Sequence, residues 1–212
     1  MLETLGKTEV EFEIVLVNDN SQDKSKDIVD QFCRKHECIR AVHHSVNKGF
    51  GGAIKSGFAI AKGDYILYYP ADSILIHTEV QNYLALIKNA DVVVGYRRGR
   101  PDYTLYRKLN STVYYILVNL LLGLKLSDVN WVHMYRKKVL RTITAESNHI
   151  FFCAEMLIKA MNKGFIITGV DVTYFPRKHG KETGSSLKTV LRTFLELMSY
   201  WLKQILFKSP KP

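Results

Sequence analysis

The sequence predicts a single α/β domain, residues 1–212, with a mostly parallel central sheet flanked by helices, some of them amphipathic. Three observations carry that expectation. Short apolar, β-branched or aromatic runs alternate with segments of helical periodicity, the order that builds right-handed βαβ units. A length of 212 residues at 47% apolar content supports one substantial core and is too short for two. No internal repeat, low-complexity tract or linker divides the chain.

The elements follow in order. "FEIVLVN" (Phe12 to Asn18), "DYILYYP" (Asp64 to Pro70) and "DVVVGY" (Asp91 to Tyr96) have the pattern of strands buried on both faces, at the centre of the sheet. Helical segments lie between them: "SKDIVDQFCRKH" from Ser25, "GFGGAIKSGFAIAKG" from Gly49 and "TEVQNYLALIKN" from Thr78. In the second, Phe50, Ala53, Ile54, Gly57, Phe58 and Ala61 recur at three and four residues and form one apolar stripe. From Val113 to Leu124 Asn119 is the only clearly polar residue. That run is shorter than the roughly 20 residues a spanning helix needs, so it reads as a buried core helix or as an interfacial helix in a headgroup layer. Residues 186–208 read as a C-terminal amphipathic helix, aromatic on one side and basic on the other.

Charge narrows the partners. Thirty Lys+Arg against twenty Asp+Glu give a net charge of +10, which suits nucleic acid, an anionic membrane surface or a phosphorylated small molecule. No nucleic-acid recognition motif accompanies it, so a nucleic-acid partner is not expected. Cys33, Cys38 and Cys153 are odd in number and lack a Cys-x-x-Cys pair, which argues against a disulfide framework or a metal cluster and for a reducing compartment. "LETLGKTEVEFE" after Met1 has no basic region followed by an apolar core, so no secretory signal is expected. The glycosylation triplet Asn110-Ser111-Thr112 is accordingly read as chance. The expected location is cytoplasmic, peripheral to the cytoplasmic face of a membrane.

Two acids occupy equivalent places. Asp19 follows the first strand and Asp72 the second, and in a parallel sheet both emerge at the carboxyl edge, where one ligand crevice could hold them. Each could equally be a helix cap or turn former. "YRRGRPDYTLYRK" concentrates Arg97, Arg98, Arg100, Arg107 and Lys108, a phosphate-binding stretch or a solvated loop.

"VNDNSQDKSKDIV", "NKGFGGAIKSGFAIAKGDYILYYPAD" and "DVVVGYRRGRPDYTLYRKLNS", in that order, resemble the family 2 glycosyltransferases of the GT-A fold. The similar branch is the polyprenyl-phosphate sugar synthases, of the dolichyl-phosphate mannose synthase type, and the likeness runs to about Lys203. In that family the first strand motif reads Val-Asp-Asp-Gly-Ser. Here it is Val17-Asn18-Asp19-Asn20-Ser21, which keeps the base-recognising acid as Asp19. The family's Asn-x-Gly-x-Gly-x-Ala stretch, which shapes the nucleotide pocket, matches Asn47, Gly49, Gly51 or Gly52, and Ala53; glycine there suggests close approach of backbone to a ligand.

The resemblance also implies a metal. The family's Asp-x-Asp holds Mg²⁺ or Mn²⁺ against the donor diphosphate; here Pro70 replaces the first acid and Asp72 keeps the second, as the expected metal ligand. One carboxylate plus phosphate oxygens is chemically adequate for such a cation. Arg97, Arg107 and Ser111 match the groups that clasp the acceptor phosphate, and Asp128 matches an acid near the acceptor. Glu155, Gly164, Arg177 and Gly180 match a later segment, with Arg177 expected at the donor diphosphate. His133 is read as a pocket residue or a satisfied structural one. The implied reaction is inverting transfer from a nucleotide-sugar to a polyprenyl phosphate by a membrane-associated enzyme. The metal and Arg177 would stabilise the leaving group; a phosphate acceptor needs no base, and for a hydroxyl acceptor Asp128 is the candidate. Family members carry an earlier strand that this sequence lacks before Phe12. The chain is therefore read as N-terminally incomplete, with a degenerate, non-catalytic nucleotide-sugar binder as the alternative.

Overall fold

The computed structural model describes residues 1–71, 76–99, 103–174 and 186–206. In chain order the elements are α1 (Leu2–Gly6), β1 (Ile14–Asn18), α2 (Ser25–Lys35), β2 (Ile39–His43), α3 (Gly49–Ile60), β3 (Tyr65–Leu67) and α4 (His77–Ile87). There follow β4 (Val92–Arg98), α5 (Leu105–Leu122), β5 (His133–Arg136), α6 (Lys137–Thr142), α7 (Phe151–Asn162), β6 (Ile167–Thr173) and α8 (Leu187–Leu206).

The strands form two sheets among the described residues. β1 and β2 pair in parallel, and the second sheet has the order β3-β5-β4-β6. β5 runs antiparallel to both β3 and β4, whereas β4 and β6 are parallel, so β3, β4 and β6 share one direction. The expectation of a mostly parallel sheet is met, with β5 as the reversed strand. The runs at Phe12–Asn18 and Asp64–Pro70 nevertheless do not meet: β1 and β3 lie in different sheets, each paired along one edge.

Local chemistry sets the boundaries. β1 begins at Ile14 rather than Phe12 because its pairing with β2 starts there, opposite Ile39, with Ile14 N–H donating to Cys38 O at 2.8 Å; the Glu13 carboxylate accepts from Arg40 and from the Gly63 N–H at 3.1 Å. β3 ends at Leu67; Tyr68 N–H still reaches His133 O at 3.4 Å, but Pro70 has no N–H to continue a ladder. β4 runs two residues past Tyr96 because its pairing with β6 continues to Arg98 opposite Thr173. α5 starts eight residues before the expected Val113, capped by the Thr104 side chain, and stops where Gly123 takes φ 73°.

The core lies on the four-stranded sheet. Val92 and Val94 face one cluster with Tyr135, Val118, Phe152, Leu157 and Leu197, while Val93 faces the other with Tyr83, Ile87, Met134 and Val170. Alternate residues of β4 thus bury on opposite faces, as its unbroken valine run requires. α7 is buried along most of its length, from Phe151 to Ile158. The smaller sheet is covered less: Val15, Leu16 and Val17 are half-buried, and α2 buries no residue fully.

Candidate active site

Asp19 stands at the carboxyl end of β1, on a turn closed by Asn18 Oδ1, which accepts from Ser21 N–H at 3.1 Å, and by Asn20 at φ 62°. Its carboxylate is an acceptor hub. Oδ1 takes the Lys48 N–H at 2.8 Å and His44 Nδ1 at 2.6 Å, and Oδ2 takes the Gly49 N–H at 2.8 Å. Asn47 Nδ2 donates to Asp19 O at 3.1 Å, and Asn47 Oδ1 accepts from Gly49 N–H at 3.1 Å. Burial pushes the Asp19 carboxyl up, but His44, Lys48 and Gly49 outweigh it and hold the group below the usual carboxylate range. Asp19, Asn47 and Gly49 are therefore brought together at the start of α3, with Ala53 one turn further along the same helix.

The glycines have a close protein neighbour. A Cβ on Gly49, whose φ is +80°, would lie 2.7 Å from Asn148 O. One on Gly51 would lie 2.8 Å from Phe152 Cβ and 2.9 Å from Ser147 O, and Gly51 N–H donates to Asn148 O at 2.8 Å. Both glycines let the first turn of α3 press against the 147–149 loop and α7. Glu155 fixes that loop from beneath. It is buried, accepts from Glu146 N–H at 2.8 Å and Ser147 N–H at 2.9 Å, and pairs with Lys159 at 2.7 Å.

The basic stretch builds a second cluster. Arg97 forks onto Asp128 with Nε–Oδ2 at 2.8 Å and Nη2–Oδ1 at 3.1 Å, and its Nη1 donates to Tyr103 Oη at 2.8 Å. The side chains are only 7% and 2% exposed. Asp128 also accepts from Tyr115 Oη at 2.8 Å and Asn130 N–H at 3.1 Å. The Arg97 guanidinium lies 4.8 Å from the Trp131 ring, and Arg107 stacks 3.4 Å above Tyr103. Ser111 sits one turn after Arg107 on α5. Arg97 and Asp128, expected as an acceptor ligand and an acid near the acceptor, are thus bound first to each other.

Other sequence readings resolve as follows. His133 is fully buried, its Nδ1 sits 2.9 Å from Tyr135 Oη, and burial drives its pKa down to about 3, so it is a neutral core residue. The Cys153 thiol is pushed by burial up to about 12, which makes it unreactive. Asp72, Arg177, Gly180 and Arg100 lie outside the described residues. Within them no three His, Cys, Asp or Glu side chains gather to hold a metal ion. The sequence reading passed over His44, whose donor role needs a partner 25 residues away, and gave no role to Glu155.

The glycosyl transferase family 2 profile matches residues 2–161. The chain belongs to that family. Among its family 2 relatives are the undecaprenyl-phosphate mannosyltransferase of Micrococcus luteus, 27% identical over 81% of this chain and 75% of the relative, and glycosyltransferase AglD of Haloferax volcanii, 26% identical over 78% of this chain and 28% of the relative. The undecaprenyl-phosphate 4-deoxy-4-formamido-L-arabinose transferase of Pseudomonas savastanoi is 29% identical over 84% of this chain and 53% of its own length. In fold, the family 2 chain superposes on glucosyl-3-phosphoglycerate synthase of Mycobacterium tuberculosis with UDP, at TM-score 0.73 and 14% identity, over 94% of this chain and 73% of that one. The same enzyme has been crystallised with Mn²⁺, UDP-glucose and phosphoglyceric acid, TM-score 0.73 at 13% identity, over 94% of this chain and 73% of that one. The GT-A expectation is met by this superposition.

Two helices of the family 2 chain carry outward apolar stripes. On α5 Leu105, Leu109, Val113, Ile116 and Leu120 are exposed, and on α8 Leu187, Leu191, Phe194, Leu202 and Ile205. The helices pack against each other, and no described helix is long and apolar enough to cross a membrane.

Proposed function

We propose that this chain is the transferase domain of an enzyme that moves a sugar, with inversion, from a nucleoside diphosphate sugar to a polyprenyl phosphate at a membrane surface. The observation that carries this reading is the pair of exposed apolar stripes on α5 and α8, two helices in contact, with Arg107 in the first turn of α5. A polyprenyl phosphate presents an anion at the level of the headgroups and a chain below it. Arg107 at the start of a helix with an exposed apolar stripe fits that division, and Lys108, Lys188, Arg192 and Lys203 on the same helices suit an anionic leaflet.

Asp128 favours a phosphate acceptor over a saccharide hydroxyl. A hydroxyl needs a general base, and Asp128 is buried and engaged by Arg97, Tyr115 and Asn130. A phosphate oxygen is already anionic near neutral pH and needs only positioning. In this reading Arg107 and Ser111 meet the phosphate, and Asp128 fixes Arg97 as the rigid base of the pocket.

On the donor side Asp19, Asn47, Gly49 and Ala53 receive the nucleotide, and Arg177 meets the diphosphate. The described residues offer no ready-made metal cage, so Mg²⁺ or Mn²⁺ would be held by Asp72 together with the donor's own phosphate oxygens. The metal would supply charge stabilisation for the departing diphosphate. The test is a screen of UDP- and GDP-sugars with polyprenyl phosphate in anionic vesicles and either cation. Asp72→Ala is expected to abolish metal-dependent donor binding, and unchanged binding would overturn the donor-site assignment.

A further inference from the structure

We infer that His44, held in place by Ser56, is a positioning residue for donor recognition, because it fixes the Asp19 carboxylate and, among the described residues, leaves it one open acceptor position. The inference rests on the donor-site reading above.

His44 lies just beyond β2, with its side chain 3% exposed and its two ring nitrogens facing different elements. Nδ1 is 2.6 Å from Asp19 Oδ1, and Nε2 is 2.8 Å from Ser56 Oγ on α3. A carboxylate only accepts, so Nδ1 carries the proton; in the neutral ring Nε2 then accepts from the Ser56 hydroxyl. Asp19 thus sets the tautomer, and the Ser56 hydroxyl supports it by holding the far side of the ring. The connectivity is that of an Asp–His–Ser triad, but Ser56 is interior to α3, where neighbouring N–H groups serve the helix, so there is no oxyanion site for acyl transfer.

Counting donors defines what Asp19 can still do. Among the described residues Oδ1 receives two, from His44 and Lys48, and Oδ2 receives one, from Gly49. A carboxylate oxygen has two lone pairs, which leaves one acceptor position, on Oδ2. Asp19 is 20% exposed, so it remains within reach of solvent. A ligand group that meets that position must donate. Uracil and guanine present a ring N–H; adenine and cytosine present a ring acceptor at the corresponding edge and would face lone pair against lone pair. Without His44 the carboxylate keeps only the Lys48 and Gly49 N–H donors, so its orientation is held less firmly and discrimination falls along with affinity.

The test is calorimetric titration of the full chain with UDP, GDP, ADP, CDP and pyrophosphate in the presence of Mn²⁺. Wild type is expected to bind UDP or GDP more tightly than ADP or CDP. His44→Ala should weaken the preferred nucleotide about tenfold or more, the loss of one hydrogen bond to a charged group, while pyrophosphate affinity moves less than about twofold. His44→Asn, whose amide can still donate to Asp19, should recover most of the loss. Ser56→Ala, a change that suits a helix interior, should reproduce part of it and covers the case in which His44→Ala fails to fold. Equal weakening of nucleotide and pyrophosphate would mean a merely structural role and would overturn the inference. So would nucleotide binding unchanged in both variants. Wild type that binds no nucleoside diphosphate would overturn the donor-site reading itself, and this inference with it.

Discussion

Replacing Asp128 with alanine tests the Arg97 cluster most directly. Asp128 accepts two hydrogen bonds from Arg97 and one each from Tyr115 Oη and Asn130 N–H. Truncation leaves the Arg97 guanidinium buried with its hydrogen bond to Tyr103 Oη, and takes an acceptor away from Tyr115 Oη and Asn130 N–H. Removing one member of a buried ion pair costs about 3 to 5 kcal/mol, because the other charge stays desolvated. With a urea m-value of about 2 kcal/mol/M, the unfolding midpoint followed by circular dichroism should fall by about 1.5 to 2.5 M. The double variant Arg97→Met/Asp128→Leu removes both charges and should return to within about 1 kcal/mol of wild type, while sugar transfer stays lost. A midpoint shift below about 0.5 M for Asp128→Ala, or a double variant no more stable than the single, would refute the view that this pair is a desolvated unit.

Other expectations follow from the same geometry. His133 binds its proton at about 3 in the folded chain, against about 6.5 when unfolded. The unfolded state therefore takes up the proton first as pH falls, and stability should drop by about 1.4 kcal/mol per pH unit between those values; His133→Gln should show a shallower slope in urea titrations from pH 6 to 4. The lowered Asp19 carboxyl contributes stability above its unfolded pKa of about 4 that is lost as pH falls through its folded value, so Asp19→Asn should flatten the stability profile below about pH 4. Gly51→Ala improves helix propensity but drives a methyl into Ser147 O and Phe152 Cβ, so it should destabilise by about 1 to 3 kcal/mol in thermal melts. Leu109→Glu with Leu191→Glu, both at exposed positions, should leave the melting temperature within a few degrees and abolish co-sedimentation with anionic vesicles.

Much of this was legible in the chain. The valine run of β4 announces burial on two faces, and the position of Asp19 at the carboxyl end of β1 is equally plain, because both signals are local. β5 was not legible: "HMYR" mixes polar and apolar residues, and its burial arises from flanking strands that are distant in sequence. β2, "IRAVH", is obscured in the same way. Gly49 and Gly51 were visible as special positions, but the partner that demands them, the 147–149 loop, lies about a hundred residues away and leaves no mark near them. Arg97 and Asp128 were each singled out as site residues. Their mutual engagement depends on how β4 and the loop before β5 are juxtaposed, which spacing alone does not reveal.

The unequal cover of the two sheets has a consequence for how the proposed donor site breathes. One wall, with Asp19, belongs to β1, whose central residues are half-buried beside a helix that buries nothing fully. The opposite wall, the 147–149 loop, rests on Glu155 and the deeply buried α7. Backbone amides of β1 and β2 should therefore exchange with solvent deuterium far sooner than those of β4 and α7, since local opening follows the apolar contacts an element holds. A nucleotide lodged between the walls would tie the soft one to the stiff one, and its arrival would be recorded as slowed exchange at Val15 to Asn18, well away from any atom that reacts.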